Sequence, residues 1–162
     1  MSEAAVIGYS ALCIAFVMTA VTGIAAVITA KTGAARYRTV AEYGSYLVCT
    51  LFAVAATAMI HAFINHDYSL IYVYKYSDAK MPWIYQLTAF WGGQEGSLQF
   101  WATILSIFLS LVVLVHRGRD QELMPWVIAV LCGILLYFDG LLLFAANPFE
   151  TYTLIDPSYN IT

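Results

Sequence analysis

Trp91-Gly92-Gly93-Gln94-Glu95-Gly96-Ser97, continuing through Leu98-Gln99-Phe100-Trp101, stands at the mouth of a hydrophobic run. Three glycines in five residues allow a tight turn and a close approach by a neighbouring segment. Glu95 places one carboxylate between two tryptophans and an apolar stretch, where water is scarce. Such an acid needs a partner or a purpose. One reading is a loop-to-helix junction, with Glu95 favouring the helix N-terminus through its dipole and Ser97 capping it. The other is a contact site spanning Trp91, Gly92, Gly93, Gln94, Glu95, Gly96, Ser97 and Trp101. There the glycines admit a partner segment while Trp91 and Trp101 shield the acid.

The chain around this stretch is apolar. Of 162 residues, 62% are hydrophobic and 10% charged, whereas soluble domains run nearer half apolar and a quarter charged. The fold class is therefore all-α, a polytopic membrane protein solvated by the lipid bilayer. A net charge of −3 without a basic cluster excludes a nucleic-acid partner. Cys13, Cys49 and Cys132 each fall inside an apolar run and form no Cys-x-x-Cys pair, so they read as small buried hydrophobes.

Working outward, four runs reach the roughly 20 apolar residues that a bilayer crossing needs. They are about 4–30, 46–65, 97–115 and 126–145. The first is too long for a signal h-region and has no basic segment before it, so it is expected to remain as a span. Small residues recur at helical spacing in the first three: Ala15, Thr19 and Gly23; Ala53, Thr57 and His61; Ala102, Ser106 and Ser110. Such stripes let another helix pack closely. Lys31, Arg36, Arg38 and Glu42 mark a polar linker after the first run, and residues 147–162 read as a polar tail. Between the second and third runs, Tyr68, Tyr72, Tyr74, Tyr76, Trp83, Tyr85 and Trp91 form an aromatic crowd typical of the membrane interface. Within it Pro82 suits a helix first turn. Trp83, Leu87, Phe90 and Trp91 share one helical face, giving a short interfacial helix over about 82–91.

Five Lys/Arg (Lys31, Arg36, Arg38, Arg117, Arg119) lie in the first and third turns, against two (Lys75, Lys80) on the opposite side. The positive-inside rule then puts the N-terminus, the aromatic loop and Glu95 outside. Asp139, inside the fourth run, is costly there and needs a partner. His61, at similar depth if the spans are as above, is the expected partner. No metal cluster, nucleophile–base pair or phosphate loop is present in the sequence.

Four segments carry a resemblance. Residues 91–101 closely resemble the Trp-Gly-x-x-Glu-Gly-Ser-Leu-x-x-Trp signature of CcmF/NrfE-type cytochrome c biogenesis proteins. These are the haem lyase membrane subunits of the cytochrome c maturation system. Asn65 to Val73 (NHDYSLIYV) is similar to that family's Asn-Asp-Phe-Ser-x-x-Tyr-Val segment, Met81-Pro82-Trp83-Ile84-Tyr85 to its Leu-Pro-x-x-Tyr, and Asn147-Pro148-Phe149 to its Asn-Pro-Phe. Order and spacing agree along nearly the whole chain.

The resemblance implies the N-terminal part of a haem lyase in the bacterial inner membrane, as one portion of a larger or split protein. It implies haem as cofactor and thioether formation between haem vinyls and the Cys-x-x-Cys-His thiols of apocytochrome c on the periplasmic face. The implied partners are the remaining haem lyase segments or subunits, a haem-carrying chaperone and apocytochrome c. The family's haem ligands neighbour a Trp-Trp-x-Trp-Asp segment and a His-Pro-Pro motif, neither of which occurs here. The chain alone is therefore expected not to catalyse the reaction. The rival readings are a structural subunit of a membrane redox complex, and a proton-conducting subunit using Glu95, Asp139 and His61.

Overall fold

A computed structural model describes residues 2–78, 82–117 and 119–152. Lys80, Met81 and the tail beyond Tyr152, all part of the expectations above, lie outside the described residues. Six helices follow in order: α1 (Glu3–Thr32), α2 (Ala35–Ile64), α3 (Ile71–Tyr76), α4 (Trp83–Ala89), α5 (Gln94–Val115) and α6 (Met124–Phe144). Four of them (α1, α2, α5, α6) are long and apolar enough to cross a membrane. The protein is all-α and multi-pass.

Local signals set the helix ends. Ser2 caps α1, its Oγ accepting from the Ala5 N–H at 3.2 Å. Gly33 ends α1 in the left-handed region (φ 69°) and its N–H returns to Thr29 O at 2.8 Å, the glycine C-terminal cap. With the chain reversed so tightly, α2 begins at Ala35. The expected polar linker is thus mostly helix, and the second span starts eleven residues before the sequence reading placed it. Arg36, Arg38 and Glu42 ride on the first turns of α2.

The long helices form a ring in which α1 packs on α2 and α6, and α5 packs on α2 and α6. Each neighbour runs antiparallel to the next, as an up-down bundle requires. Small side chains bring the backbones together, because lipid-solvated helices associate through close packing. Ala15 and Thr19 are fully buried, and a Cβ on Gly44 would run into the Thr22 side chain. Ala102 and Ser106 line the inner face of α5, and the Ser110 hydroxyl donates to Ser45 O of α2 at 3.1 Å.

The α2 stripe is out of phase with expectation. Ala53, Thr57 and His61 are exposed. They line an outer groove of about 520 Å³ between α1 and α2. The inner face carries Val48, Phe52, Ala55, Met59, Ala62 and Phe63. Alanines occur on both faces of this helix, so small size does not set the phase. The large Phe52, Met59 and Phe63 do, because a close-packed interior needs their volume.

Candidate functional site

The residues at the α2 exit, the α4–α5 turn and the segment after α6 converge at one end of the bundle. Asn65 is the C-cap of α2, its side chain donating to His61 O at 2.9 Å, and His66 takes a left-handed φ of 52°. Asp67 Oδ1 then accepts from Ser69 N–H (3.3 Å) and Ser69 Oγ (2.6 Å), a side-chain-closed turn that starts the next segment. Leu70 and Ile71 meet the chain after α6: Leu70 bridges antiparallel to Thr151, and the Ile71 N–H donates to Glu150 O at 3.0 Å. Residues 147–151 are therefore not a solvated tail. Phe149 is buried and occupies the space that a Cβ on Gly8 of α1 would need.

This scaffold delivers Tyr72 to the glycine loop. Its ring is buried against Phe63 (centroids 5.7 Å) and Tyr76 (4.8 Å). Its hydroxyl donates to Phe90 O at 3.0 Å and accepts from the Gly93 N–H at 3.0 Å. One side chain thus satisfies a carbonyl and an amide that a buried turn would otherwise leave unpaired. The Tyr72 pKa is pushed up to about 12, chiefly by burial, with the Glu95 charge adding to the rise and the Gly93 and Gly96 amides opposing it.

The three glycines are not equivalent. A Cβ on Gly96 would collide with Phe90 O and the Tyr72 hydroxyl, and one on Gly93 with the Tyr76 ring. At Gly92 the nearest atom is Ala89 O at 3.4 Å, ordinary contact. Close approach is therefore the role of Gly93 and Gly96, while Gly92 has room.

The helix start also differs from expectation. Gly93 is the N-cap of α5, and Ser97 sits inside the first turn with its Oγ donating to Trp91 O at 2.8 Å. Glu95 lies in that first turn, where the helix dipole favours an anion. It is half-buried and makes no hydrogen bond or ion pair among the described residues. Gln94 beside it is exposed. Trp91 and Trp101 stand 45% and 58% exposed, so they do not close over the acid within this chain. Trp91 instead leans on Phe100, with centroids 5.4 Å apart.

His61 and Asp139 do not meet. Asp139 is fully buried in α6 with neither carboxyl oxygen hydrogen-bonded among the described residues, whereas His61 is exposed on the outer groove. Facing explains the difference: Asp139 lies on the inner face of α6 and His61 on the outward face of α2. Their depths stay similar, His61 roughly 5 Å from the C-terminal end of α2 and Asp139 roughly 8 Å from that of α6.

The histidines do not fit a haem as an axial pair. Both His66 ring nitrogens are engaged, Nδ1 with Tyr68 Oη and Nε2 with Gln86 Nε2, each at 3.2 Å. His116 caps α5 at the opposite end, its Nδ1 3.1 Å from Val112 O. His61 lines an outer hollow with His66, whose two nitrogens are thus occupied, and no group of three or more metal-ligating residues occurs among the described residues.

Tyr72, Tyr76 and Gln86 escaped the sequence reading as individual site residues. Tyr72 had a signal, since in the segment 65–73 it matches the tyrosine of the family's Tyr-Val. Tyr76 and Gln86 had none, because their roles arise from what they touch.

No family model matches the chain. Curated relatives do. The cytochrome c-type biogenesis protein ccl1 of Rhodobacter capsulatus is 31% identical over 142 residues, 88% of this chain and 22% of that protein. CcmF of Pseudomonas aeruginosa is 29% identical over 144 residues, 89% of this chain and 22% of its own length. A probable NrfE of Escherichia coli is 35% identical over 102 residues, 61% of this chain and 18% of its own. Among solved structures, the cytochrome c haem lyase CcmF superposes with a TM-score of 0.86 at 25% identity, covering 93% of this chain and 25% of that one. The chain thus spans about a fifth of the length of the curated relatives it matches. Over nearly its whole length it belongs with one segment of the CcmF/NrfE-type cytochrome c biogenesis proteins, the family its tryptophan–glycine motif resembles.

Proposed function

We propose that this chain forms one membrane segment of a cytochrome c maturation haem lyase, presenting the 91–101 loop to the rest of that machine on the periplasmic face. The observation that carries this reading is the convergence of residues 65–73, 90–97 and 147–151 on the Tyr72 hydroxyl and the backbone around it. Three segments distant in sequence meet to hold Gly93 and Gly96 in place and to leave Glu95, Trp91 and Trp101 facing outward. A loop held this rigidly, with an acid that has no hydrogen bond or ion pair among the described residues and two indoles that stay exposed beside Phe100, is built to receive a neighbouring segment. The five-to-two Lys/Arg asymmetry supports placing it outside.

Haem lyase action in cytochrome c biogenesis is the activity that the relatives' names suggest for the whole assembly; attachment of haem to apocytochrome c, with a haem-carrying chaperone as donor, is what the family resemblance adds. Among the described residues no histidine pair is placed to ligate haem, so this chain's share is positioning: it fixes the outer loop and provides helix faces for further spans. The proton-conducting alternative loses its support, since Asp139 and His61 form no relay.

The test is Glu95→Gln in a deletion strain of the host, read by covalent-haem staining beside immunoblots of the chain. Cytochrome c maturation is expected to fall while membrane levels of the chain stay near wild type. Full maturation by Glu95→Gln would reduce Glu95 to a helix-dipole residue and remove the contact-site reading.

A further inference from the structure

At the other end of the bundle, away from the glycine loop, the turns after α1 and α5 face each other. Arg38 Nη1 donates to Gln121 Oε1 at 2.7 Å, and Arg117 Nη2 donates to Tyr43 Oη at 3.1 Å. Between them is a cavity of about 230 Å³ lined by Arg38, Glu42, His116, Arg117 and Arg119 among others. We infer that this cavity holds the phosphate of an anionic phospholipid headgroup.

Three guanidinium groups face one carboxylate there. Glu42 Oε2 lies 3.8 Å from Arg117 Nε, so its charge is spent on Arg117 and two arginines are left unneutralised. Arg38 Nε is enclosed and has no hydrogen-bond partner. An enclosed charged N–H without an acceptor is costly, and a phosphate oxygen is the acceptor that suits a guanidinium best. The Arg119 side chain is exposed and makes no hydrogen bond among the described residues, so it is free to close on the same anion. Glu122 lines an adjoining hollow that also carries Arg38, and its negative charge disfavours an anion there.

The wall of the cavity separates a lipid from a soluble anion. Val113, Pro125 and Ile128 line it and belong to α5 and α6, two of the helices long and apolar enough to cross a membrane. A ligand that fits has a charged head among the arginines and an apolar part along these residues. Basic pockets between spanning helices at the membrane surface take lipid headgroups for this reason.

The full chain, purified in detergent, is titrated with phosphatidylglycerol, with phosphatidylcholine and with inorganic phosphate, reading retained lipid by native mass spectrometry and the unfolding temperature in parallel. One phosphatidylglycerol is expected to be retained and to raise the unfolding temperature, with phosphatidylcholine much weaker and inorganic phosphate without effect. Arg119→Gln, at an exposed side chain whose loss leaves the fold intact, is expected to weaken phosphatidylglycerol binding about five-fold, and Arg38→Gln by at least as much. Equal retention of the two lipids overturns the inference. A rise produced by inorganic phosphate alone reassigns the cavity to a soluble anion and overturns the lipid assignment. Unchanged phosphatidylglycerol affinity in Arg119→Gln with wild-type unfolding temperature overturns the location.

Discussion

Tyr72→Phe isolates the clamp from everything around it. The substitution keeps the ring, and with it the packing on Phe63 and Tyr76 at 5.7 and 4.8 Å. It removes only the hydroxyl that donates to Phe90 O and accepts from the Gly93 N–H, each at 3.0 Å. Both backbone groups are then left unpaired in a turn where Phe90 and Gly93 are buried. Each unpaired group costs about 1–3 kcal/mol, partly relieved if the turn opens to the interface. The closed loop should therefore lose about 2–4 kcal/mol relative to its open form. Amide exchange reports this directly, because local opening sets the rate. Hydrogen-exchange mass spectrometry on peptides covering 90–97 should show the Gly93 amide exchanging roughly 30- to 1,000-fold faster than in wild type. Peptides from the middle of α1 and α6 should be unchanged, since neither touches the hydroxyl. Exchange across 90–97 within two-fold of wild type would refute the argument that Tyr72 holds the loop.

Four further outcomes follow from the same geometry. Gly96→Ala should sharply lower the membrane level of the chain, because its methyl meets a backbone carbonyl that cannot move aside, while Gly92→Ala should express as wild type; equal levels on immunoblots would contradict the close-approach assignment. Phe149→Ala should cost about 3–5 kcal/mol of unfolding free energy by emptying the space against Gly8, and should speed exchange at Ile71, whose N–H pairs with Glu150 O. Tyr72 keeps its pKa near 12 against an ordinary value of 10, so the folded form disfavours the phenolate; the clamp's contribution is intact below about pH 10 and lost as pH rises through about 12, and ultraviolet titration should show a late-ionising component that shrinks by one tyrosine in Tyr72→Phe. Single cysteines at Ser77 and Glu122 in a cysteine-free background should label from opposite sides of the membrane, with an impermeant outside reagent reaching position 77; labelling at 122 instead would invert the orientation.

Much of this protein was legible in its residues alone. Apolar content and run length determine that it crosses the membrane by helices, since no other arrangement satisfies backbone groups in lipid with this pattern. Pro82 marks the start of the short helix α4, and the tryptophan–glycine segment marks the candidate site. These are local or compositional properties, and they survive without knowledge of what packs where.

Tertiary structure decided the rest, for identifiable reasons. The start of α2 depends on a two-residue reversal at Gly33 and Ala34, and charged residues at the membrane surface do not by themselves distinguish a linker from a helical turn. The inner face of α2 depends on which neighbours need Phe52, Met59 and Phe63, whereas its alanines suit either face. From the second of these follows the separation of His61 from Asp139, which similar depth alone had brought together. The distinction among Gly92, Gly93 and Gly96 is likewise invisible in the chain, because it rests on what lies opposite each Cα: Ala89, the Tyr76 ring, and the Phe90 carbonyl with the Tyr72 hydroxyl. Contacts between residues twenty or eighty positions apart are set by packing, and packing is decided only when the whole bundle closes.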